Sequence, residues 1–137
     1  MTEVFIDTGP LYAFFDARHP RHGDAVRLCQ AAPPLVTTNL VISETIALAA
    51  ARREPEFGVR LAERLLDGQP ARVERVTAAD EVMAVRLLRR FAATGATFAD
   101  CASFAVIARL GLELAFSFDR HFAPPGFFRL EPGDSGA

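Results

Sequence analysis

The chain has 137 residues, a formal charge of −2 and 50% apolar residues, which is the length and composition of one folded domain spanning 1–137. This apolar content excludes a disordered chain, and the slightly acidic charge gives no global basic field for nucleic-acid binding. All 15 basic residues are arginine, which excludes any mechanism that needs a catalytic lysine. There is no leader-like segment and no apolar run near the roughly 18 residues of a membrane span, so we expect a cytoplasmic protein.

Strand and helix patterns alternate along the chain. Short apolar runs bounded by turn residues predict five strands, at 3–6, 35–38, 72–76, 112–118 and 127–130. Apolar residues at helical spacing predict helices at 11–15, 21–32, 39–53, 57–67, 77–95 and 97–110. Asn39, Thr77 and Thr97 are the expected N-caps of three of them. The alternation predicts an α/β sandwich around a mostly parallel sheet, in which ligands bind beyond the carboxyl ends of the strands.

Four acidic residues occur where such a sheet would gather them. Asp7 and Asp119 follow the first and fourth predicted strands, and Glu44 and Asp100 are placed in the first turns of two helices. All four can therefore face one edge of the sheet. Clustered carboxylates raise one another's pKa values, so a cation or protons must neutralise them. Mg²⁺ or Mn²⁺ suits oxygen ligands, so the cluster predicts metal-assisted hydrolysis of a phosphodiester.

Each acid also has a purely structural interpretation. Asp7 could bond to its own backbone in a turn, and Asp100 could complete a capping box with Thr97. Asp119 could begin a turn, and Glu44 could be a solvated helix residue favoured by the helix dipole. These interpretations explain the acids singly, but they do not predict four acids at one edge of one sheet.

Three segments occur in an order that is typical of one family. They are Val-Phe-Ile-Asp-Thr-Gly at 4–9, Val-Thr-Thr at 36–38 running into Leu-Val-Ile-Ser-Glu at 40–44, and Thr-Phe-Ala-Asp-Cys-Ala-Ser at 97–103 followed by Ser-Phe-Asp-Arg-His-Phe at 117–122. Together they resemble PIN-domain nucleases, particularly the VapC-type toxins of toxin–antitoxin pairs. The set spans nearly the whole chain and keeps all four acidic positions. The resemblance implies a three-layer PIN-like sandwich with a five-stranded sheet.

The resemblance also implies a cofactor, partners and roles for residues. Water activated at a bound Mg²⁺ or Mn²⁺ would attack an RNA phosphodiester bond, which makes the protein an endoribonuclease toxin. Thr8 and Ser117 would supply hydroxyl groups behind the metal ligands. Members of this type usually form homodimers and are silenced by an antitoxin protein that lies over the active-site cleft. The catalytic and metal-holding residues would be Asp7, Glu44, Asp100 and Asp119.

Arginines are the candidates for RNA contact, because the guanidinium fork binds phosphate with two hydrogen bonds. Arg120 is preferred because it directly follows Asp119, and a solvated surface role stays open for every candidate. His19 and His22 lack a third ligand nearby and are not expected to bind metal, and His121 is assigned to packing or to the substrate side. The candidate arginines are Arg18, Arg21, Arg52, Arg53 and Arg120.

Rival functions fail at particular positions. A haloacid-dehalogenase-type phosphotransfer domain needs a second aspartate two residues after Asp7, where this chain has Gly9, and normally a lysine. A response-regulator receiver fails for the same missing lysine. A non-catalytic PIN-like module that binds RNA or a protein stays open, although such modules often lose acidic positions that are all present here.

Two further predictions concern packing. Cys29 and Cys101 lie in apolar helical surroundings and are expected to be small packing groups that form no disulfide. A row of leucines is expected to face the core, with a dimer or antitoxin groove as the alternative. The row consists of Leu61, Leu65 and Leu66.

Overall fold

The fold is a parallel sheet flanked by helices, seen in a computed structural model that describes residues 3–119 and the backbone of 128–130. The strands lie in the order β3-β2-β1-β4-β5, and every neighbouring pair is parallel, as predicted. Phe5 stands opposite Val36 on one side and Ala115 on the other, so the carboxyl ends of the three central strands meet at one edge. The strands are β1 (Val4–Ile6), β2 (Leu35–Thr38), β3 (Ala71–Glu74), β4 (Leu114–Phe116) and β5 (Phe128–Leu130).

Helices make the crossovers that a parallel sheet requires. A pair of α-helices joins β1 to β2, β2 to β3 and β3 to β4. Gly111 ends the last helix with φ of 67°, a left-handed conformation that favours glycine. The helices of the described residues are α1 (Thr8–Phe15), α2 (His22–Ala31), α3 (Asn39–Arg52), α4 (Pro55–Leu66), α5 (Ala78–Phe91) and α6 (Phe98–Leu110).

The central strands form the hydrophobic core. All three side chains of β1 are fully shielded from solvent, and Val36 of β2 and Ala115 of β4 are shielded beside them. Leu11 of α1 and Leu61 of α4 pack against this cluster. Such continuous burial is typical of parallel strands that helices cover, and it gives the carboxyl edge of the sheet a rigid base. Within the part of the chain that the structure describes, the helices are too short or too polar to span a bilayer.

The N-cap of α3 differs from the prediction. Thr38 is the cap, and its hydroxyl oxygen accepts a hydrogen bond from Val41 N at 3.2 Å. The prediction of Asn39 is wrong, because the Asn39 side chain instead accepts a hydrogen bond from Val76 N at 2.8 Å. The caps predicted for α5 and α6 are confirmed, each as a full capping box.

The end of β4 also differs from the prediction. The strand expected at 112–118 contains only Leu114–Phe116. Ser117 leaves the strand and uses its hydroxyl group to contact Asp7 and the backbone of Asp119. The shortened strand therefore delivers its polar residues directly to the edge of the sheet.

Two helices leave large apolar side chains exposed to solvent. Leu61 and Leu65 lie in the core as expected, but Leu66 is 57% exposed. On α5, Val82 and Val85 are 60% and 51% exposed, because the helix packs mainly through Ala84 and its neighbours against α6. Cysteine packing is as predicted, since Cys101 is buried, Cys29 is half-buried and neither forms a disulfide.

Candidate active site

Asp7 is the central acid at the carboxyl edge of the sheet. It directly follows β1, and its backbone N–H donates to Phe116 O at 3.0 Å, which fixes it beside β4. Its side chain does not cap α1; Oδ2 accepts a hydrogen bond from the Ser117 hydroxyl at 3.0 Å. The residue is only 9% exposed. The sheet therefore holds one carboxylate in a nearly closed position, with the hydroxyl of Ser117, the residue after β4, behind it.

The surroundings of Asp7 disfavour its negative charge. Burial above all, together with the charges of Asp100 and Glu44, raises the pKa of Asp7 to about 7. Hydrogen bonds from the Thr8 backbone and the Ser117 hydroxyl act in the opposite sense. The effects of burial and of two like charges on the pKa outweigh those of the two hydrogen-bond donors. The ionised Asp7 carboxylate therefore lacks a compensating positive charge near neutral pH.

Glu44 reaches the site from α3. It is the sixth residue of that helix, so its predicted place in the first turn is wrong. Its Oε1 accepts a hydrogen bond from the Thr8 hydroxyl at 2.6 Å, which ties α3 to the start of α1. Glu44 is exposed, and its charge is among those that act on Asp7. The helix thus presents a solvent-facing carboxylate at the same edge as the buried one.

Asp100 has the structural role considered for it, and it also belongs to the site. The Thr97 backbone N–H donates to Asp100 Oδ2 at 2.9 Å, and Asp100 N donates to the Thr97 hydroxyl at 3.1 Å. Its other oxygen, Oδ1, accepts no hydrogen bond from the described residues. Asp100 is also the carboxylate with the larger charge effect on Asp7. Capping therefore orients Asp100 beside Asp7 and leaves one oxygen for a ligand.

Asp119 is joined to the site through its backbone. Its N–H donates to the Ser117 hydroxyl oxygen at 3.1 Å, and the same hydroxyl donates to Asp7. The residue is exposed. Asp100 and Glu44 therefore act on Asp7 through their charges, and Asp119 lies at the rim, connected to Asp7 through the Ser117 hydroxyl.

A divalent cation matches these donors in chemistry. Carboxylate oxygens are the ligands that Mg²⁺ and Mn²⁺ prefer, and the buried Asp7 would gain from a positive neighbour. In residues 3–119, however, no three histidine, cysteine or acidic side chains converge closely enough to hold an ion. Like charges repel, and Thr8, Thr97 and Ser117 each hold one acid by a hydrogen bond. The donor set fits a divalent cation, which would have to draw the acids together.

The candidate RNA-binding arginines fall into different environments. Arg53 donates to the buried Asp16 at 2.9 Å, so its charge is matched within the protein. The guanidinium carbon of Arg21 lies 4.0 Å from the centre of the Phe118 ring, and Arg52 lies 5.1 Å from that of Tyr12. Arg18 is exposed. Arg120 and His121 lie outside the described residues.

The two histidines considered as ligands have structural partners. His19 Nδ1 accepts a hydrogen bond from Arg21 N at 3.0 Å. His22 Nδ1 lies 2.7 Å from Ala13 O, to which it donates. Both contacts shape the turn between α1 and α2, which gives each ring a structural role.

Sequence reasoning did not single out Asp16. This buried aspartate accepts hydrogen bonds from the Tyr12 hydroxyl at 2.6 Å, from Arg18 N at 3.0 Å and from Arg53. These donors lower its pKa against the opposing effect of burial. The one sequence signal was the tyrosine four residues earlier, on the same face of a helix. Asp16 anchors the turn that carries His19 and Arg21 beside the acids.

Comparison with known proteins identifies the family of this chain. The PIN domain family model matches residues 4–127, and the chain belongs to the PIN domain family. The predicted resemblance to VapC-type members is confirmed by a Mycobacterium tuberculosis protein named 23S rRNA-specific endonuclease VapC20. It is 37% identical over 130 residues, which are 94% of this chain and 98% of that protein.

Solved structures agree with the same family. The crystal structure of M. tuberculosis VapC20, described as a sarcin-ricin loop cleaving toxin, matches with a TM-score of 0.82 and 35% identity over 90% of this chain and 95% of that one. A toxin–antitoxin complex from Klebsiella pneumoniae matches with a TM-score of 0.66 and 17% identity over 94% of this chain and 97% of that one. At that identity the second match supports the fold.

Proposed function

We propose that this protein is an endoribonuclease that uses Mg²⁺ or Mn²⁺ to hydrolyse RNA phosphodiester bonds, and that it is the toxin of a toxin–antitoxin pair. The observation that carries the proposal is the buried Asp7 carboxylate, whose pKa is raised by burial and by the charges of Asp100 and Glu44. A parallel sheet that gathers uncompensated acids at its carboxyl edge has the chemistry of a cation site. The family supports the same conclusion.

The side chains of this chain would hold the cation and keep the site in shape. A bound divalent cation supplies charge for the phosphate and lowers the pKa of a bound water. Ser117 keeps Asp7 oriented, and Thr8 does the same for Glu44. Positioning of this kind affects activity strongly, because loss of a side chain that orients a metal ligand often lowers metal affinity or activity about 10–100-fold. The residues proposed to hold the cation are Asp7, Glu44, Asp100 and Asp119.

The substrate is proposed from the relative. VapC20 is named as an enzyme specific for 23S rRNA and as a toxin that cleaves the sarcin-ricin loop. With 37% identity over nearly all of both chains, 23S rRNA is the first substrate to test. The antitoxin partner rests on matches to toxin–antitoxin complexes. The homodimer, the cytoplasmic location and the single domain over 1–137 stay predictions.

The first experiment uses end-labelled 23S rRNA, free and within ribosomes, with Mg²⁺, Mn²⁺ or a chelator. Asp100→Asn removes one negative charge but keeps an oxygen for the capping box. The matched control is Asp67→Asn, which makes the same change at an exposed residue at the end of α4. We expect metal-dependent cleavage by the wild type and the control and not by Asp100→Asn. Equal cleavage by all three proteins, or none by any, would contradict the proposal and favour a contaminant or a non-catalytic module.

The toxin role has its own test. Expression of the wild type should stop growth, whereas expression of Asp100→Asn should not. Co-expression of the protein encoded directly upstream should restore growth. If the wild type is harmless without any partner, the enzyme could stand but the toxin role would not.

A further inference from the structure

Phe118 provides an aromatic surface at the rim of the acidic site. It lies between Ser117, which contacts Asp7, and Asp119. A Cβ atom at Gly9 would stand 3.2 Å from Phe118 Cδ2, so the start of α1 packs tightly against the ring. Phe116 meets the same ring edge-to-face with centres 5.7 Å apart. These contacts hold the ring in place next to the proposed cation ligands.

Arg21 lies on this ring with little neutralisation of its charge. Its guanidinium carbon is 4.0 Å from the ring centre, so one face of the group is covered by an aromatic surface. Its side chain is 39% exposed, and its ion pair with Asp24 is long, at 3.8 Å. Asp24 is engaged more closely by Arg27. A guanidinium group with a supported face and a weak partner can donate from its edge to a phosphate.

Arg52 has a similar arrangement on the next aromatic side chain. Its guanidinium carbon lies 5.1 Å from the centre of the Tyr12 ring, and the residue is exposed. The His19 ring joins the two surfaces, with its centre 6.1 Å from that of Tyr12 and 6.2 Å from that of Phe118. Tyr12, His19 and Phe118 therefore form an aromatic bridge with one arginine near each end.

The neighbouring Arg53 shows that not every arginine in this region is available to bind RNA. Arg53 follows Arg52 directly, but it donates to the buried Asp16 at 2.9 Å and lies over Phe57. Its charge is used to anchor the turn between α1 and α2. Arg52, one residue earlier on α3, forms no ion pair with the described residues, so its charge can serve a partner outside the protein.

We propose that Arg21 and Arg52 are a two-point clamp for the phosphate backbone of the RNA, on the aromatic bridge beside the acidic edge. One end of the bridge is adjacent to Asp119 in the chain. The other lies one helical turn from Thr8, whose hydroxyl holds Glu44. A strand whose scissile phosphate meets the acids would thus present flanking phosphates to both guanidinium groups. The clamp adds a substrate-binding element to the proposed function, and the identification of its ligand as RNA rests on that function.

The clamp is tested by RNA binding, which does not depend on cleavage. In an Asp100→Asn background with chelator, binding of a single-stranded RNA oligonucleotide is measured against salt for Arg21→Ala, Arg52→Ala and the double variant. The matched control is Arg89→Ala, an exposed arginine on α5. Each clamp variant should weaken binding about tenfold and reduce the slope of log K against log salt by about 0.7, and the double variant by about 1.4. The control should stay within about twofold.

Two results would overturn the clamp. One is an unchanged salt slope in both single variants, and the other is an equal loss in the Arg89→Ala control, which would mean that only total charge matters. In the Asp100 wild-type background the single variants should raise KM about tenfold and leave kcat within about twofold, as a residue that binds only the flanking chain should do. Failure of the proposed function would give a different result, because the wild type would then bind RNA through the clamp but would not cleave it.

Discussion

The amino ends of α5 and α6 carry the same capping box in two different surroundings. In α5 the Thr77 backbone N–H donates to Asp80 at 2.9 Å and Asp80 N donates to the Thr77 hydroxyl at 3.1 Å. In α6 the corresponding distances for Thr97 and Asp100 are the same. The geometry of the capping box therefore cannot distinguish a structural aspartate from one at the candidate active site.

The difference lies in what surrounds each carboxylate. Asp80 is 4% exposed and accepts hydrogen bonds from Arg109 Nε at 2.9 Å and Nη2 at 2.8 Å, which lower its pKa. Asp100 has no basic partner among the described residues, and its charge instead raises the pKa of Asp7. A satisfied carboxylate stabilises the fold, whereas an unsatisfied pair of carboxylates creates a demand for a cation.

The largest predicted effect is the dependence of stability on pH that arises from Asp7, the carboxylate next to Asp100. The pKa of Asp7 is about 7 in the folded protein against an ordinary 3.8, so between these values the folded chain holds a proton that the unfolded chain lacks. The contribution of Asp7 to stability is therefore complete below about pH 3.8 and is lost as the pH rises through about 7, by about 4 kcal/mol in all. Urea unfolding from about pH 5 to about pH 8 in chelator should show about 3 kcal/mol of this decline, most of it below about pH 7, and Asp7→Asn should abolish it.

Two controls sharpen that experiment. Asp80 has a lowered pKa, so its contribution is present above its ordinary value of 3.8 and is lost only as the pH falls below it. Addition of Mg²⁺ at about pH 8 should stabilise the wild type and have little effect on Asp7→Asn. Parallel pH profiles for the two proteins would mean that Asp7 ionises without cost.

The next effect separates the two capping aspartates by activity. Asp100→Asn should lower RNA cleavage at least about 100-fold, since it removes a proposed cation ligand and keeps the cap. Asp80→Asn should stay within about threefold of the wild type at a temperature where both are folded. Cleavage of labelled RNA under single-turnover conditions measures both. A similar loss of cleavage in the two variants would mean that Asp80 and Asp100 do not differ in their contribution to activity.

The same two substitutions should have the opposite order in stability. Asp80→Asn should lower the free energy of unfolding by about 2 kcal/mol, because Arg109 loses a charge-assisted partner at a buried position. Asp100→Asn should change it by less than about 0.5 kcal/mol, because its cap is retained and its repulsion with Asp7 is relieved. Urea unfolding near pH 7 gives both values, and a stability loss in Asp100→Asn as large as in Asp80→Asn would argue against this division.

Local patterns predicted much of this molecule. The five parallel strands, the caps Thr77 and Thr97 and the position of Asp7 at the end of a strand all depend on residues close in sequence. The spacing also predicted that the acids would share one edge of the sheet. Whether Asp119 joins the others at a cation stays a prediction; the structure connects its backbone to Asp7 through the Ser117 hydroxyl.

Interactions between distant residues were harder to predict. Asp80 is made structural by Arg109, which lies 29 residues further along the chain. Asp16 depends on Arg53, 37 residues away, and nothing near either residue indicates the pairing. The exposure of Val82 and Val85 on α5 is likewise set by how that helix packs and not by its apolar spacing. Partners of this kind follow from the packing of whole helices and not from the pattern within one.

The smallest predicted effect concerns the capping threonines. Thr77→Ala and Thr97→Ala each remove the hydroxyl that accepts the N–H of the aspartate three residues later, so each should cost about 1 kcal/mol of stability. Only Thr97→Ala should also lower cleavage, by about tenfold, because a frayed first turn misplaces Asp100. Thr97→Ser keeps the hydroxyl and should restore both properties. Equal cleavage by the two alanine variants would mean that the capping box of α6, like that of α5, serves only the helix.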